Sequence, residues 1–304
     1  MYSLGQLLEG LRRPRRAALE INRLFAEAVL LRLRPKTGFF ERDWDNLIVL
    51  DACRYDAMRE VGFAPDQLEW RWADGTNSSE FVEYSVRNGP LDDVVWVTAN
   101  PWVSRFHDSI FEVVELWDTG WDDDRQTVPP DIVTAEARAA ERRFPNKRIV
   151  AHYMQPHYPF IGDAGVDLPD YATFTGGGRI KSEKEAPTIW DHLRSGTVGR
   201  DQVWTAYLSN LELVLPQAES LAESLAGKSV ITSDHGNAFG SRTIPIPYRL
   251  YGHPRGLRHA PLAKVPWIEF ESDRRKDVET GEIRSEAGSS ELIEDRLEHL
   301  GYRT

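Results

Sequence analysis

Short, continuous runs of apolar residues alternate along most of this chain with longer segments in which apolar positions recur at helical spacing. Such runs are typical of strands buried on both faces, and the longer segments are typical of helices that cover a sheet. The predicted strands are Leu47–Leu50, Val94–Thr98, Arg148–Tyr153, Ser229–Thr232 and Val265–Phe270. The predicted helices are Ala52–Val61, Asp131–Arg143, Gln202–Ala226 and Glu291–Leu300. This alternation predicts an α/β fold with a mostly parallel, doubly wound sheet.

The beginning of the chain has a different pattern. From residue 3 to about residue 34, leucine and isoleucine recur at helical spacing among arginines, which predicts a helical arm. Pro14 is expected to divide this arm into two helices. We expect the arm to pack on the domain or on a second subunit, and the alternative is a basic amphipathic segment on an anionic membrane surface. The arm is too polar to span a bilayer.

The pattern therefore predicts two parts, an amphipathic basic arm over residues 1–38 and a single domain over residues 39–304. Within the domain, residues 161–200 contain the glycine-rich and charged stretch "TFTGGGRIKSEKEAPTIWDH", which is only weakly periodic. This region is either a surface loop or a lid that covers the substrate, because long loops in compact domains are often functional.

Composition narrows the class of protein. The chain has 304 residues, of which 41% are apolar and 28% charged, as in an ordinary globular protein with a substantial core. Its net charge of -11 disfavours nonspecific binding of nucleic acid, and its single cysteine excludes an intramolecular disulfide. The sequence has no signal-peptide pattern and no apolar run of about 18 residues. These features predict a cytoplasmic protein, with peripheral contact at the inner membrane surface as an alternative.

Charged side chains follow two of the predicted strands directly. Asp51 ends the apolar run of "NLIVLDACRYD", and Asp234 and His235 end that of "KSVITSDHGNAFG". Ligands of such sheets bind beyond the carboxyl ends of the strands, and two carboxylates with an imidazole suit a divalent metal ion. Asp51 taken alone could instead be the N-cap of the following helix.

Hydroxyl and imidazole side chains supply further candidates for chemistry. "WADGTNSSEF" contains Thr76, Ser78 and a second serine, and a hydroxyl near a metal ion becomes a usable nucleophile. By itself this segment reads as a turn. "AHYMQPHYPF" and "YGHPRGLRHAPLAKVPW" contain two histidines each. His157, between two prolines in what should be a rigid loop, is the better candidate for substrate contact or leaving-group protonation.

Five stretches, taken in order, resemble the alkaline phosphatase/sulfatase superfamily. They are "LIVLDACRYD", "DGTNSSEF", "QPHYPF", "TSDHGNAFG" and "YGHP…LAKVPW", which together span residues 47 to 267. "PHYPF" and "KVPW" are similar to stretches of sulfatases and of lipoteichoic-acid-synthase-like phosphoglycerol transferases. The resemblance implies an alkaline-phosphatase-like three-layer α/β sandwich with a mostly parallel central sheet.

The resemblance also implies roles for individual residues. The metal ligands would be Asp51, Asp234 and His235. The nucleophile would be Ser78, with Thr76 as the alternative. The remaining roles are catalytic assistance and substrate binding; the candidates are His157 and His253 for the first, and Arg54, Asn77 and His259 for the second.

Two departures from the superfamily pattern refine these expectations. Cys53 is followed by Arg54, Tyr55 and Asp56, which does not match the motif that sulfatases convert to formylglycine. Gln155 stands where a second metal site would need an acid, so one divalent ion is expected; the sequence does not distinguish Mn, Mg, Zn and Ca.

These observations predict a metal-dependent hydrolase or transferase that acts on a phosphate mono- or diester through a covalent serine or threonine intermediate. The expected substrate is a small, glycan-linked or lipid-linked anionic ester, and nucleic acid is not an expected partner. One alternative is a sulfate-ester hydrolase that uses an unconverted hydroxyl. The other is a non-catalytic binding module on the same fold, with the basic arm as its docking element.

Overall fold

The computed structural model describes residues 14–169 and 187–284. In these ranges the strands are β1 Asn46–Leu50, β2 Glu69–Trp72, β3 Leu91–Thr98, β4 Ile110–Glu115, β5 Arg148–Tyr153, β6 Ser229–Thr232, β7 Ala238–Arg242, β8 Arg249–Gly252 and β9 Lys264–Phe270. Seven of them form one sheet in the order β2-β9-β6-β1-β5-β3-β4, and β7 and β8 form a separate hairpin.

The direction of the strands places their ends. Strand β1 runs parallel to both of its neighbours, β5 and β6, and β3 runs parallel to β4 and β5. Strand β9 runs antiparallel to β6 and to the edge strand β2. The predicted α/β class with a mostly parallel sheet is confirmed. The carboxyl ends of the parallel strands meet at one edge of this sheet, where the sequence predicts the metal site.

Helices cover both faces of the sheet. The α-helices are α1 Pro14–Phe25, α2 Leu31–Leu33, α3 Tyr55–Glu60, α4 Ser78–Ser85, α5 Leu116–Thr119, α6 Pro130–Arg143, α7 Ile189–Ser195, α8 Arg200–Ser224 and α9 Ala260–Ala263. Single 3-10 or π-helical segments lie at Ala26–Leu30, Phe39–Glu41, Pro101–Ser109 and Asp163–Asp167.

Strand β1 shows why a continuous apolar run is needed at the centre of the sheet. Ile48 and Leu50 pack into the core beneath α6 and α8, whereas Leu47 and Val49 pack into the core on the other face, beneath α4. Successive side chains of a strand point to opposite faces. In a strand covered on both sides, both sets of side chains therefore enter an apolar core.

All predicted elements that lie among the described residues are present in the structure. Strands β2, β4, β7 and β8 and helices α4, α5, α7 and α9 were not predicted, and the helix expected over Ala52–Val61 begins only at Tyr55. It begins late because the chain turns after Asp51, with Ala52 at a φ of 58°. The helix predicted over Glu291–Leu300 lies outside the described residues, as does the middle of the predicted lid, from 170 to 186.

The described part of the N-terminal arm packs on the domain. Asn22 donates to the Thr243 hydroxyl and the Ile246 carbonyl, and accepts from the Ile246 amide. Leu19 packs against an apolar cluster of the β7–β8 region that includes Leu250. The division that Pro14 was predicted to cause cannot be seen here, because α1 starts at Pro14 and the earlier residues lie outside the described ranges.

Candidate active site

Asp51 lies fully buried at the end of β1. Its Oδ2 accepts a hydrogen bond of 2.6 Å from the side-chain amide of Asn100, whereas its Oδ1 has no hydrogen-bond partner. Asp51 is not a helix N-cap, because α3 starts beyond it with Arg54 in the capping position. A buried carboxylate oxygen with no donor is costly unless a cation binds it, which is the first observation in favour of a metal ion.

Asp234 and His235 lie in the turn after β6. Asp234 Oδ1 accepts from the backbone amides of Ala52, at 3.1 Å, and His235, at 2.9 Å. Gly236 then turns the chain away: a Cβ atom there would lie 2.2 Å from the carbonyl oxygen of Pro261. The backbone therefore fixes one oxygen of Asp234 and leaves the other facing Ser78.

Ser78 is the first residue of helix α4, and its hydroxyl reaches the carboxylates. Ser78 Oγ donates to Asp234 Oδ2 at 2.7 Å, and lies 3.4 Å from Asp51 Oδ2 and 3.3 Å from His235 Nε2. The turn before the helix requires Gly75, because a Cβ there would lie 2.5 Å from the Phe81 amide nitrogen. The helix start thus presents Ser78 to both strand ends.

Thr76, the alternative nucleophile, lies in a different set of contacts. Its hydroxyl donates to Glu80 Oε2 at 2.6 Å and accepts from the backbone amide of Gly256 at 2.9 Å. The structure brings Ser78, and not Thr76, to the two aspartates.

Three imidazoles cluster beside this group. The His253 ring stacks on His235 at a centroid distance of 4.7 Å and lies 5.0 Å from the His157 ring. His235 Nδ1 lies 2.8 Å from the Gly236 carbonyl and His157 Nδ1 lies 2.6 Å from the Tyr158 carbonyl. A carbonyl only accepts, so both Nδ1 atoms carry the hydrogen and both Nε2 atoms present a lone pair.

His152, which received no role in the sequence prediction, belongs to the centre of the site. Its Nε2 lies 3.8 Å from carboxylate oxygens of both Asp51 and Asp234, and the three residues offer ligand atoms within 4.8 Å of one another. Strand pairing aligns it with Val49 of β1, just before Asp51. The sequence shows that His152 lies near the end of a predicted strand. It does not show that this strand is the neighbour of β1, which only the strand order reveals.

Asn100 was also missed. Its side-chain amide donates both to Asp51 Oδ2 and to Ser78 Oγ, the latter at 3.0 Å, and so links the first aspartate to the hydroxyl. Asn100 follows β3 just as Asp51 follows β1, so the rule that polar residues after strands line the site would have found it.

Burial and charge act differently on the two aspartates. Burial, together with the negative charge of Asp234, raises the pKa of Asp51 well above its usual value. Burial also acts to raise the pKa of Asp234, but the adjacent His235 and His152 and the Ser78 hydrogen bond outweigh it and lower this pKa. Asp234 is thus ionised without a metal ion, whereas Asp51 needs a nearby cation to stay ionised.

Burial keeps His152, His157 and His253 neutral. It lowers the pKa of His152 and of His157 to about 4, and that of His253 well below its usual value. Neutral imidazoles are the form that binds metal ions.

The predicted substrate-binding residues have other partners. The Arg54 guanidinium pairs with Asp56 and donates to the Asn237 carbonyl at 3.0 Å. Asn77 caps helix α4, with its side-chain oxygen accepting from the Glu80 amide. His259 precedes helix α9, and burial, reinforced by the charge of Arg34, lowers its pKa to about 4.

Cys53 is buried below the site. Burial and the nearby charges of Asp56 and Asp234 raise the pKa of its thiol well above the usual value. A thiol in this state is inert. Gln155, at the place where a second metal site would need an acid, is buried and donates to the Val128 carbonyl at 3.2 Å.

No protein-family model matches the chain, and no curated protein matches it significantly. Among solved structures, it is similar to the integral membrane protein lipooligosaccharide phosphoethanolamine transferase A from Neisseria meningitidis, with 11% identity and a TM-score of 0.50. That match covers 75% of this chain and 47% of the transferase, so the chain spans about half of the transferase's length.

The chain has an alkaline-phosphatase-like α/β fold. Two further similar structures are the C-terminal periplasmic domain of a phosphoethanolamine transferase from Campylobacter jejuni and a 2-O GAG sulfatase. The first has 13% identity and a TM-score of 0.46, and the match covers 75% of this chain and 78% of that one. The second has 11% identity and a TM-score of 0.45, and the match covers 78% of this chain and 65% of that one. At these identities the similarity concerns the fold alone.

The comparison corrects the predicted cytoplasmic location. The transferase that shares the fold is an integral membrane protein, which contradicts the predicted cytoplasmic location. Among the described residues, no helix is both long enough and apolar enough to cross a membrane. None of the similarities tests the role predicted for the arm, which stays a prediction.

Proposed function

We propose that this protein is a metal-dependent hydrolase or transferase of phosphate-type esters, with Ser78 as its nucleophile. The observation that carries the proposal is the Ser78 hydroxyl, held 2.7 Å from Asp234 and beside Asp51 and His235. The enzymes that share the fold, two transferases of phosphoethanolamine and a sulfatase, support the ester class.

The residues around Asp51 suit one divalent metal ion. Asp51, Asp234, His235 and His152 would hold it, because they combine carboxylate oxygens with neutral imidazole nitrogens, and Asp51 Oδ1 has no hydrogen-bond donor. Such an ion supplies Lewis-acid stabilisation of the charge that develops on the transferring phosphoryl group.

In the proposed reaction the Ser78 hydroxyl attacks the phosphorus atom. A bond forms between Ser78 Oγ and phosphorus, and the bond from phosphorus to the leaving oxygen breaks. The hydroxyl proton passes to Asp234 Oδ2, its nearest acceptor. Water, or the hydroxyl of an acceptor molecule, then attacks the phosphorus atom, and the bond from phosphorus to Ser78 Oγ breaks. Ser78 Oγ takes back the proton from Asp234 Oδ2, and the attacking hydroxyl releases its own proton to solvent.

The tautomers assign His157 a different task from the one first expected. Neutral His157 has its hydrogen on Nδ1, where the Tyr158 carbonyl holds it, so its Nε2 does not donate a proton to a leaving group. We assign His157 and His253 to lone-pair donation, either to a cation or to a hydroxyl of the substrate. The leaving oxygen then takes its proton from solvent.

The test compares two hydroxyls of one loop. Ser78→Ala and Thr76→Ala are assayed with aryl phosphate monoesters, phosphodiesters and sulfate esters, each with added Mn²⁺, Mg²⁺, Zn²⁺ or Ca²⁺. We expect Ser78→Ala to lose at least about 10³-fold in kcat, and Thr76→Ala to lose less than about tenfold. Mass spectrometry of the quenched wild-type reaction should find phosphate on Ser78.

Three results would separate the rival functions. Activity retained by Ser78→Ala would remove the proposed nucleophile. A faster turnover of sulfate than of phosphate esters would make the protein a sulfatase that uses an unconverted hydroxyl. Tight metal binding without turnover of any ester would indicate a binding module. The natural substrate of the proposed enzyme is an anionic ester of a small molecule, a glycan or a lipid.

A further inference from the structure

In the described part of the arm, residues 14–38, some apolar side chains pack on the domain and others are exposed. Ala26 and Leu30 are buried against the domain, together with Asn22. Five other large apolar side chains of this described part are exposed: Ile21, Leu24, Val29, Leu31 and Leu33. Leu33 is the extreme case, with 69% of its surface exposed. Exposed apolar surface of this extent usually marks an interaction site.

A second element extends this apolar surface. Trp70 lies on the edge strand β2, is 40% exposed, and packs edge-on against Trp72. The two indoles line a groove of about 630 Å³. Pro35 and Lys36, which come shortly after the exposed Leu33 in the chain, line the same groove. Below, "arm–groove surface" denotes Ile21, Leu24, Leu31, Leu33 and Trp70.

The charge around the arm–groove surface is opposite to that of the whole protein. Residues 16–36 include five basic and two acidic side chains, in a chain whose net charge is -11. The Arg34 guanidinium lies 5.3 Å from the Trp72 ring, and Arg42 and Arg71 line the groove together with Glu69, which pairs with Arg71. Basic side chains therefore outnumber acidic ones around the exposed apolar side chains.

We propose that the arm–groove surface docks on an anionic lipid surface. Aliphatic side chains, an indole and arginines together are what a helix needs to lie in the headgroup region of a bilayer. A second copy of the chain fits less well, because a two-fold contact would place the same arginines against each other. A soluble polyanion would use the cations but would not need the exposed leucines.

Docking of this kind would place the candidate active site next to the lipid surface. Trp72 pairs with Lys264 and leads, through Ala73, into the loop that carries Ser78. Arg23 of the arm donates to the carbonyl of Arg255, in the loop that carries His253. An active site next to a lipid surface would act on a lipid-linked ester. This consequence rests on the proposed function, whereas the docking does not.

Vesicle flotation of the full-length protein tests the proposal. We expect wild type to float with phosphatidylcholine vesicles that contain phosphatidylglycerol, to float weakly with phosphatidylcholine alone, and to dissociate at high salt. Leu24→Glu/Leu33→Glu and Trp70→Ser should each lower the bound fraction, the double variant by about tenfold or more. Leu213→Glu is the matched control, since Leu213 is 40% exposed on α8, and it should bind as wild type does.

Several results would overturn the proposal. These are failure to bind the anionic vesicles, equal loss of binding by Leu213→Glu, or a dimer in sedimentation experiments that Leu24→Glu/Leu33→Glu abolishes. Binding to dextran sulfate that is as tight as vesicle binding, and unaffected by the leucine substitutions, would identify a polyanion site instead. Protein that floats but hydrolyses no ester would leave the docking intact and would count only against the proposed reaction.

Discussion

Three neighbouring side chains hold Ser78 in position. Asn77 caps the helix and fixes its first turn, Asp234 accepts the hydroxyl hydrogen, and Asn100 donates to the oxygen. The hydroxyl donates to Asp234 and accepts from Asn100, so these contacts orient it before any ligand binds. Such preorganisation lowers the reorganisation needed in the reaction.

Asn100 is the residue whose substitution tests this arrangement most directly. Asn100→Ala removes the donor both to Asp51 Oδ2 and to Ser78 Oγ. We expect a loss of about 10–100-fold in kcat/KM on an aryl phosphate ester and weaker metal binding by calorimetry. Asn88→Ala, on the surface, is the control that should change neither. Equal activity of wild type and Asn100→Ala would show that the amide has no part in the reaction.

The sequence predicted the bounds of strands best where nearly all their residues are buried. Strands β5 and β6 have the predicted bounds, since both consist of a short apolar run between polar ends. Strand β2 was missed because its residues Glu69–Trp72 are half-exposed at the sheet edge, where no continuous apolar run is required. The helix start at Tyr55 was missed because the preceding turn is made to position Asp51, and local propensity gives no sign of it.

The turn into helix α4 permits a test at the level of an element. Gly75→Ala would place a Cβ 2.5 Å from the Phe81 amide, so helix α4 would have to move. We expect a loss of about 2–3 kcal/mol in unfolding free energy, measured with urea, together with a loss of most activity. Gly199→Ala is the matched control, since nothing lies within 4 Å of its added Cβ. Equal stability of the two variants would contradict the tight turn.

At the scale of the whole molecule, the sheet converts distant motifs into one site. The sequence identified Asp51, Asp234, His235 and Ser78, which do meet, because each follows a recognisable strand or turn. It did not identify His152, whose place depends on which strands are neighbours. Strand order results from the packing of the complete chain, and no local pattern encodes it.

Buried neutral histidines also give the whole protein a predictable response to acid. A histidine whose pKa is lowered by folding takes up its proton first in the unfolded state, so stability falls as the pH drops below about 6.5 and levels off near 4. His152, His157, His253 and His259 all act in this direction, whereas the raised pKa of Asp51 opposes them. We expect the Tm of chelator-treated protein to fall over this range.

His259→Gln isolates one contribution, because His259 lies apart from the carboxylates. Burial lowers its pKa to about 4, and the substitution removes its share of the acid sensitivity. The fall in Tm between pH 7 and pH 4.5 should then be smaller than in wild type by roughly 2–4 °C. An unchanged or larger fall would show that His259 is not neutral in the folded protein.

The strand order described above also determines when the protein can fold during synthesis. Strand β1 is made early, yet its two partners are β5 and β6, and Ser78 and Asp234 are 156 residues apart in the chain. A nascent chain therefore carries an unpaired and largely apolar central strand at least until β5 has left the ribosome. We infer slow folding of high contact order, in which the candidate active site is among the last parts to assemble.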